Sequence, residues 1–160
     1  FLFGRIIRVA AHLQRLSPFV CGEDRAIVLL ECAGGVIGIL DLSWSSVISP
    51  TRRLERGGLE PCCIEGEQGT IELDPYRSGK IIVTTRLDSK EYAALAGLSP
   101  LEAYQLSFER CQRHFIECLR SGRPAENEAR DNLEVLAAVF AAYASAERGC
   151  PVYVSEVLNM

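Results

Sequence analysis

The sequence predicts an α+β fold: an open, predominantly antiparallel sheet with helices packed on one face and the other face left for subunit association. Three observations predict it. Strand signals fill the first half of the chain and helix signals the second, without the βαβ alternation that marks a parallel sheet. Gly34-Gly35 sits between two apolar runs, where a tight hairpin turn needs residues free to take positive φ. Both faces of that hairpin are apolar, whereas an antiparallel sheet wet on one side alternates with polar residues.

The elements follow in order. Phe1-Leu2-Phe3-Gly4 reads as the last apolar turn of a helix closed by a glycine. Over residues 5–16, Ile7, Val9, Ala11 and Leu13 alternate with Arg8, Ala10, His12 and Gln14, the period of a strand with one buried face. Residues 26–31 and 36–44 form the hairpin. In it Val28 and Leu30 oppose Ile27 and Leu29, and Leu40 and Leu42 oppose Ile37 and Ile39. Helices of the same chain cover one face; the other requires a second layer or a second subunit, so either Ile37 and Ile39 or Leu40 and Leu42 are the expected interface residues.

Residues 49–61 read as a long connection or irregular edge carrying Arg52, Arg53 and Arg56. Short strands are then predicted at 62–65, 70–73 and 81–86, divided by the Gly66-Glu67-Gln68-Gly69 turn and a second turn at 74–79. Ser99-Pro100-Leu101-Glu102 marks a helix start, with a capping serine, proline at the first position and glutamate at the third. Leu101, Tyr104, Phe108, Cys111, Phe115 and Cys118 give that helix one apolar stripe, and Ser121-Gly122 stops it. An alanine-rich helix over 128–148 is expected to lie close on the sheet, and Pro151-Val152-Tyr153-Val154 to close the chain as a short strand.

With 160 residues, nearly half of them apolar, the chain is long enough for one domain with a core, and 1–160 is read as a single domain. Seventeen basic and twenty-one acidic residues leave a net charge of −4 without any basic run, which argues against a nucleic-acid partner. The longest nearly apolar stretch, 133–146, falls short of the roughly 20 residues a bilayer span needs, so no membrane partner is expected. Seven irregularly spaced cysteines fit reduced, buried thiols and a cytoplasmic setting better than a disulfide framework.

Each chemical motif carries a plainer alternative. Arg52 and Arg53 can clamp a carboxylate or sugar acid, or simply line a solvated loop. Trp44 can stack on a sugar-like substrate, or anchor a core or interface. Cys111, His114 and Cys118, at i, i+3 and i+7, can approach a zinc ion, but the two cysteines belong to the apolar stripe and no fourth ligand is indicated, so no metal is assigned. His12 has no evident carboxylate or nucleophile partner and reads as an exposed strand residue. Neighbouring Cys62 and Cys63 point to opposite faces and do not make a redox pair. In the Gly66-to-Gly69 turn, Glu65 and Glu67 would repel the anion that a phosphate clamp binds.

The order of these signals resembles the C-terminal domain of the glucose-fructose oxidoreductase/inositol dehydrogenase/MocA family of NAD(P)-dependent oxidoreductases. The resemblance rests on Gly34-Gly35 running to Ser43-Trp44, on the segment from Ile64 to Leu73, and on His114-Phe115-Ile116 followed by Ser121-Gly122-Arg123-Pro124. It continues through Ala138, Tyr143-Ala144-Ser145-Ala146 and Gly149. It implies a substrate-binding and oligomerisation domain of an enzyme acting on a sugar, cyclitol or similar polyol, with NAD or NADP held in the parent and no cofactor in this chain. The family's Rossmann glycine fingerprint, catalytic lysine, aspartate and histidine have no counterpart here, so the chain is expected to be a fragment, inactive alone, that associates with itself as a homodimer or higher oligomer. The alternative is a free-standing binding or scaffold module of the same fold.

Overall fold

The computed structural model describes residues 2–44, 61–73, 80–93, 97–126 and 128–158. Among these, in chain order, are β1 (Ile6–Gln14), β2 (Arg25–Cys32), β3 (Ile37–Ser43), β4 (Cys62–Gly66), β5 (Gly69–Leu73), β6 (Lys80–Thr85), β7 (Ser89–Ala93), α1 (Pro100–Ser121), α2 (Ala129–Arg148), β8 (Val152–Tyr153) and α3 (Val154–Leu158). They fall into two compact units, residues 1–46 with 126–160, and residues 47–125. The fold is α+β, with its strands divided between two open, four-stranded antiparallel sheets.

The first unit holds the sheet β3-β2-β1-β8. Its register sorts every side chain to a face: Val9, Leu30 and Gly38 share one row, Ala11, Val28 and Leu40 the next, and Leu13, Ala26 and Leu42 a third. On this face α2 packs Ala137, Ala138, Ala141 and Ala142 against Val9, Ala26, Val28 and Val152. Alanines let helix and sheet approach closely, and Val9 and Val152 lose essentially all solvent exposure, which contributes roughly 2 kcal/mol each. The short β8 pairs only with Arg8 and Val9. Just beyond it the Ala11 N–H donates to the buried Ser145 Oγ at 3.0 Å, so a side chain of α2 satisfies an edge that no strand covers.

Several expectations are refined here. A register shift between Ile6 and Arg8 leaves Ile7 exposed and puts Ile6 beside the core, because one extra residue in a strand reverses its alternation. Residues 2–5 form no helical turn, although Gly4 takes the left-handed φ of +77° that a helix end uses; so few residues cannot close an i to i+4 bond. In the hairpin Gly35 alone adopts positive φ, +80°. Val154 opens α3 instead of extending the last strand.

The second unit contains the β4-β5-β6-β7 meander. Gly66 pairs with Gly69 across a two-residue turn, and the Gly69 backbone lies so near β6 that a Cβ there would stand 2.1 Å from the Thr84 carbonyl oxygen. One face carries Ile64, Ile71, Leu73, Ile81, Val83 and Tyr92 with Cys62 and Lys90; the other carries Glu65, Thr70, Glu72, Thr84 and Glu91 with Cys63, Ile82 and Ser89. No residue of these four strands is buried. β7 was not expected from the sequence, since Ser89-Lys90-Glu91-Tyr92-Ala93 lacks the apolar alternation of a strand.

α1 has the predicted capping box, with Ser99 and Glu102 bonding each other's backbone N–H groups, and it ends at Gly122 in left-handed geometry. Its apolar stripe stays largely exposed apart from Cys118. This helix belongs to the second unit, and the helix packed on the hairpin of the first unit is α2. The cysteines differ from expectation as well: all seven are free thiols, but only Cys32 and Cys118 are buried. Cys62 and Cys63 lie on an edge strand of the uncovered sheet, while Cys21 and Cys150 fall outside helices and strands. No helix among the described residues is long and apolar enough to cross a membrane.

Candidate functional site

The face of the first sheet away from α2 is left outside the core. Its rows are Arg8, Glu31 and Ile37; then Ala10, Leu29 and Ile39; then His12, Ile27 and Asp41. Ile37 and Ile39 are 69% and 70% exposed, and Ile27 and Leu29 more than 40%. Polar groups border this strip. Arg8 makes a two-pronged ion pair with Glu31, one prong at 2.9 Å, and its guanidinium lies 5.9 Å from the centre of the Tyr153 ring. Bonding to Glu31 raises the Arg8 pKa still further. An apolar centre with a charged rim is the anatomy of a protein interface.

The register also separates the two interface candidates. Ile37 and Ile39 stand on the open face. Leu40 and Leu42 stand on the α2 side, yet remain 42% and 51% exposed, because the helix lies along β1 and does not reach β3.

At the end of the sheet where β1 stops and β2 begins, Asp24 is a buried hub. Its two carboxylate oxygens accept the N–H groups of Leu16 and Ser17, each at 2.7 Å; its own N–H donates to Gln14, and its carbonyl accepts the Trp44 N–H at 2.7 Å. The Leu16 N–H bond holds the Asp24 pKa below the usual carboxylate range against the opposing effect of burial, helped by Ser17 and by Arg15. Next to it Glu23 accepts a hydrogen bond from the Tyr143 hydroxyl of α2, which lowers the carboxyl pKa and raises the phenol's. Trp44 itself is 83% exposed.

Among the described residues the remaining candidates are not brought together in one centre. Arg52 and Arg53 lie outside the described residues. His114 comes within 3.6 Å of Cys118 Sγ on α1, but among the described residues no three metal-ligating side chains converge. His12 and Cys150 both line a small cleft of about 180 Å3 at the β1 edge, below the end of α2. A larger hollow of about 380 Å3 lies at the Gly66-to-Gly69 turn, lined by Glu65, Glu67 and Arg86 among others.

A dinucleotide does not fit the described residues. Its pyrophosphate needs a glycine-rich turn opening into a free helix N-terminus. The N-terminus of α1 is filled by the Glu102 carboxylate, and α2 opens with Glu128 at its cap and Asp131 in its first turn.

Sequence reasoning did not single out Asp24, since a lone aspartate in a polar loop looks solvated until the fold closes over it. Arg8 and Glu31 were legible only as alternating polar positions; their pairing depends on the register.

Comparison with known proteins follows the same lines. Residues 1–154 match the model of the oxidoreductase family C-terminal alpha/beta domain. The chain belongs to this family. Among its relatives, a D-apiose dehydrogenase from Paraburkholderia graminis is 35% identical over 156 residues, which is 93% of this chain and 40% of that protein. A D-apiose dehydrogenase from Rhizobium rhizogenes is 31% identical, across 99% of this chain and 46% of its own length. An oxidoreductase from Agrobacterium radiobacter, solved in complex with NAD+, L-tartaric acid and magnesium, is 29% identical with a TM-score of 0.79, covering 96% of this chain and 45% of that one. This oxidoreductase-family domain thus spans less than half the length of the curated relatives it matches.

Proposed function

We propose that this domain forms a substrate-side wall and the self-association surface of an NAD(P)-dependent oxidoreductase acting on a sugar, cyclitol or similar polyol. In the whole protein a hydride would pass between the nicotinamide and a carbon bearing a hydroxyl group. The nucleotide and the groups that move the hydroxyl proton would come from residues beyond this chain, so the domain alone is inactive. The two D-apiose dehydrogenases support the substrate class, and the NAD+ in the Agrobacterium radiobacter structure supports the cofactor. Trp44, Arg52 and Arg53 are the proposed substrate-facing residues. Trp44 offers an aromatic ring to a sugar's apolar face, and the arginines offer paired donors to its oxygens.

The observation that carries the association role is the exposed strip of Ile27, Leu29, Ile37 and Ile39, opposite the face on which α2 packs. A second copy related by a two-fold axis covers such a strip with itself. Light scattering at tens of micromolar should therefore give a dimer or higher homo-oligomer. Ile39→Asp should shift it to monomer or make it insoluble. A clean monomer for the unmutated chain removes the self-association role.

A further inference from the structure

Between β1 and β2 the chain makes a loop that is unusually well fixed for one so exposed. Both Asp24 carboxylate oxygens hold its first turn through Leu16 and Ser17, and the Ser17 hydroxyl accepts the Phe19 N–H at 3.2 Å. Tyr143 holds Glu23 at the loop's other end. What this bracing presents to solvent is apolar: Phe19 is 94% exposed, and Leu16 and Val20 are also open. The same aspartate fixes Trp44 through its carbonyl. Two of the most exposed aromatic residues of the chain therefore leave the same end of one sheet from backbone tied to one buried residue.

A single exposed phenylalanine needs no explanation, but two aromatics on a shared rigid mount are arranged as a binding site is, with first-line groups held by a supporting layer. The patch is small. Phe19, Trp44, Leu16 and Val20 are too few for a stable protein interface, which buries about 800 Å2 per partner. They suit the apolar face of one sugar or cyclitol ring.

We infer that Phe19 is a specificity-determining residue of the polyol site, forming with Trp44 an aromatic wall that Asp24 holds in place. This rests on the proposed function, which supplies the substrate class. Trp44 is the chain's single tryptophan, so its fluorescence reports the site directly.

The test is a fluorescence titration of the 160-residue chain with D-apiose, D-xylose and myo-inositol. At least one should change the emission saturably. Phe19→Ala should weaken that binding roughly three- to tenfold, the scale of one lost aromatic contact, while Phe19→Tyr should keep it within about twofold. Circular dichroism and the amide exchange of Leu16 and Ser17 serve as the fold check for both variants. Saturable binding that is unchanged in Phe19→Ala overturns the inference and leaves the polyol site of the proposed function standing. No saturable change with any of the three sugars removes that site and the inference together. A changed light-scattering mass in Phe19→Ala, with sugar affinity intact, assigns the loop to a protein interface and also overturns the inference.

Discussion

In the sheet of β1, β2, β3 and β8, Val9, Ala26 and Val28 are buried under α2, and the opposite face has an apolar centre as well. In the β4 to β7 meander one face is mostly apolar and the other mostly polar, and no strand residue is buried. Both sheets have four antiparallel strands joined by hydrogen-bonded ladders. Hydrogen-bonded pairing therefore does not distinguish them; the α2 layer packed on the first does. Net stabilisation from a ladder is small because unfolded amides bond to water, whereas removing Val9, Val28 and Val152 from water is a direct gain. The first unit holds the core, and the second presents an amphipathic sheet and an exposed helix stripe.

Substitutions that crowd or empty each sheet should break this comparison if it is wrong. Ala141 is fully buried against β1, so Ala141→Leu must push α2 off the sheet, at a cost of about 3 kcal/mol. Ile71 lies on the apolar face of the meander but is 43% exposed, so Ile71→Ala should cost less than about 1 kcal/mol. Urea midpoints of the two variants check this. Equal losses would mean that the meander's apolar face is covered in the folded protein.

How far the sequence reveals this division depends on the range of the signal. Local signals were legible: the Gly34-Gly35 turn, the Ser99-to-Glu102 cap and the two-sided apolar pattern of the hairpin all appear as read. Alternation alone set Ile27 and Leu29 against Val28 and Leu30, and Ile37 and Ile39 against Leu40 and Leu42; that Ile27, Leu29, Ile37 and Ile39 share a face follows from the register of β2 and β3. What was not legible depends on partners. The bulge at Ile7 follows from pairing with β2, and β7 exists because Lys90 and Glu91 lie opposite Val83 and Ile82 in a ladder that their own propensities do not call for. Periodicity states that a face is apolar, not which layer meets it, so two sheets and one sheet look alike in sequence. Of the candidate site, Trp44 was legible as a residue type; its mount on Asp24 depends on bonds to residues 14, 16 and 17.

A sharper version of the comparison sits within the meander. Gly69 can bear no side chain, because its Cβ would stand 2.1 Å from the Thr84 oxygen, whereas a Cβ at Gly66, its partner across the same turn, meets nothing nearer than 3.8 Å. Gly69→Ala should cost about 2 kcal/mol by forcing β5 from β6, and Gly66→Ala only a few tenths. Amide shifts should move across Thr70–Leu73 and 81–85 in the first variant alone, with the first unit's amides unchanged. Changes that reached β1 and β2 would show that the meander and the core unfold as one.

The smallest expected effect is local to the first unit and depends on pH. Asp24 titrates below its unfolded value of about 3.9 because its ionised form accepts two backbone N–H groups. A depressed carboxyl pKa stabilises the fold at pH values above the unfolded pKa, and that stability is lost as pH falls through the folded pKa. The loop from Leu16 to Asp24 should thus keep its full stabilisation from neutral pH to about 4 and lose it progressively below that as pH falls through the folded pKa, while the β1 to β2 ladder, which has no titrating group in its hydrogen bonds, holds. Hydrogen exchange of Leu16 and Ser17, corrected for intrinsic rates, reads this against Val28 and Leu30 as ladder references. Asp24→Asn should give partly open behaviour at neutral pH, since an amide side chain presents one acceptor oxygen where the carboxylate presents two. Protection of Leu16 and Ser17 that stayed constant down to pH 3 in the unmutated chain would mean the loop is held by Tyr143 and its own packing, and that Asp24 is a passenger in the mount.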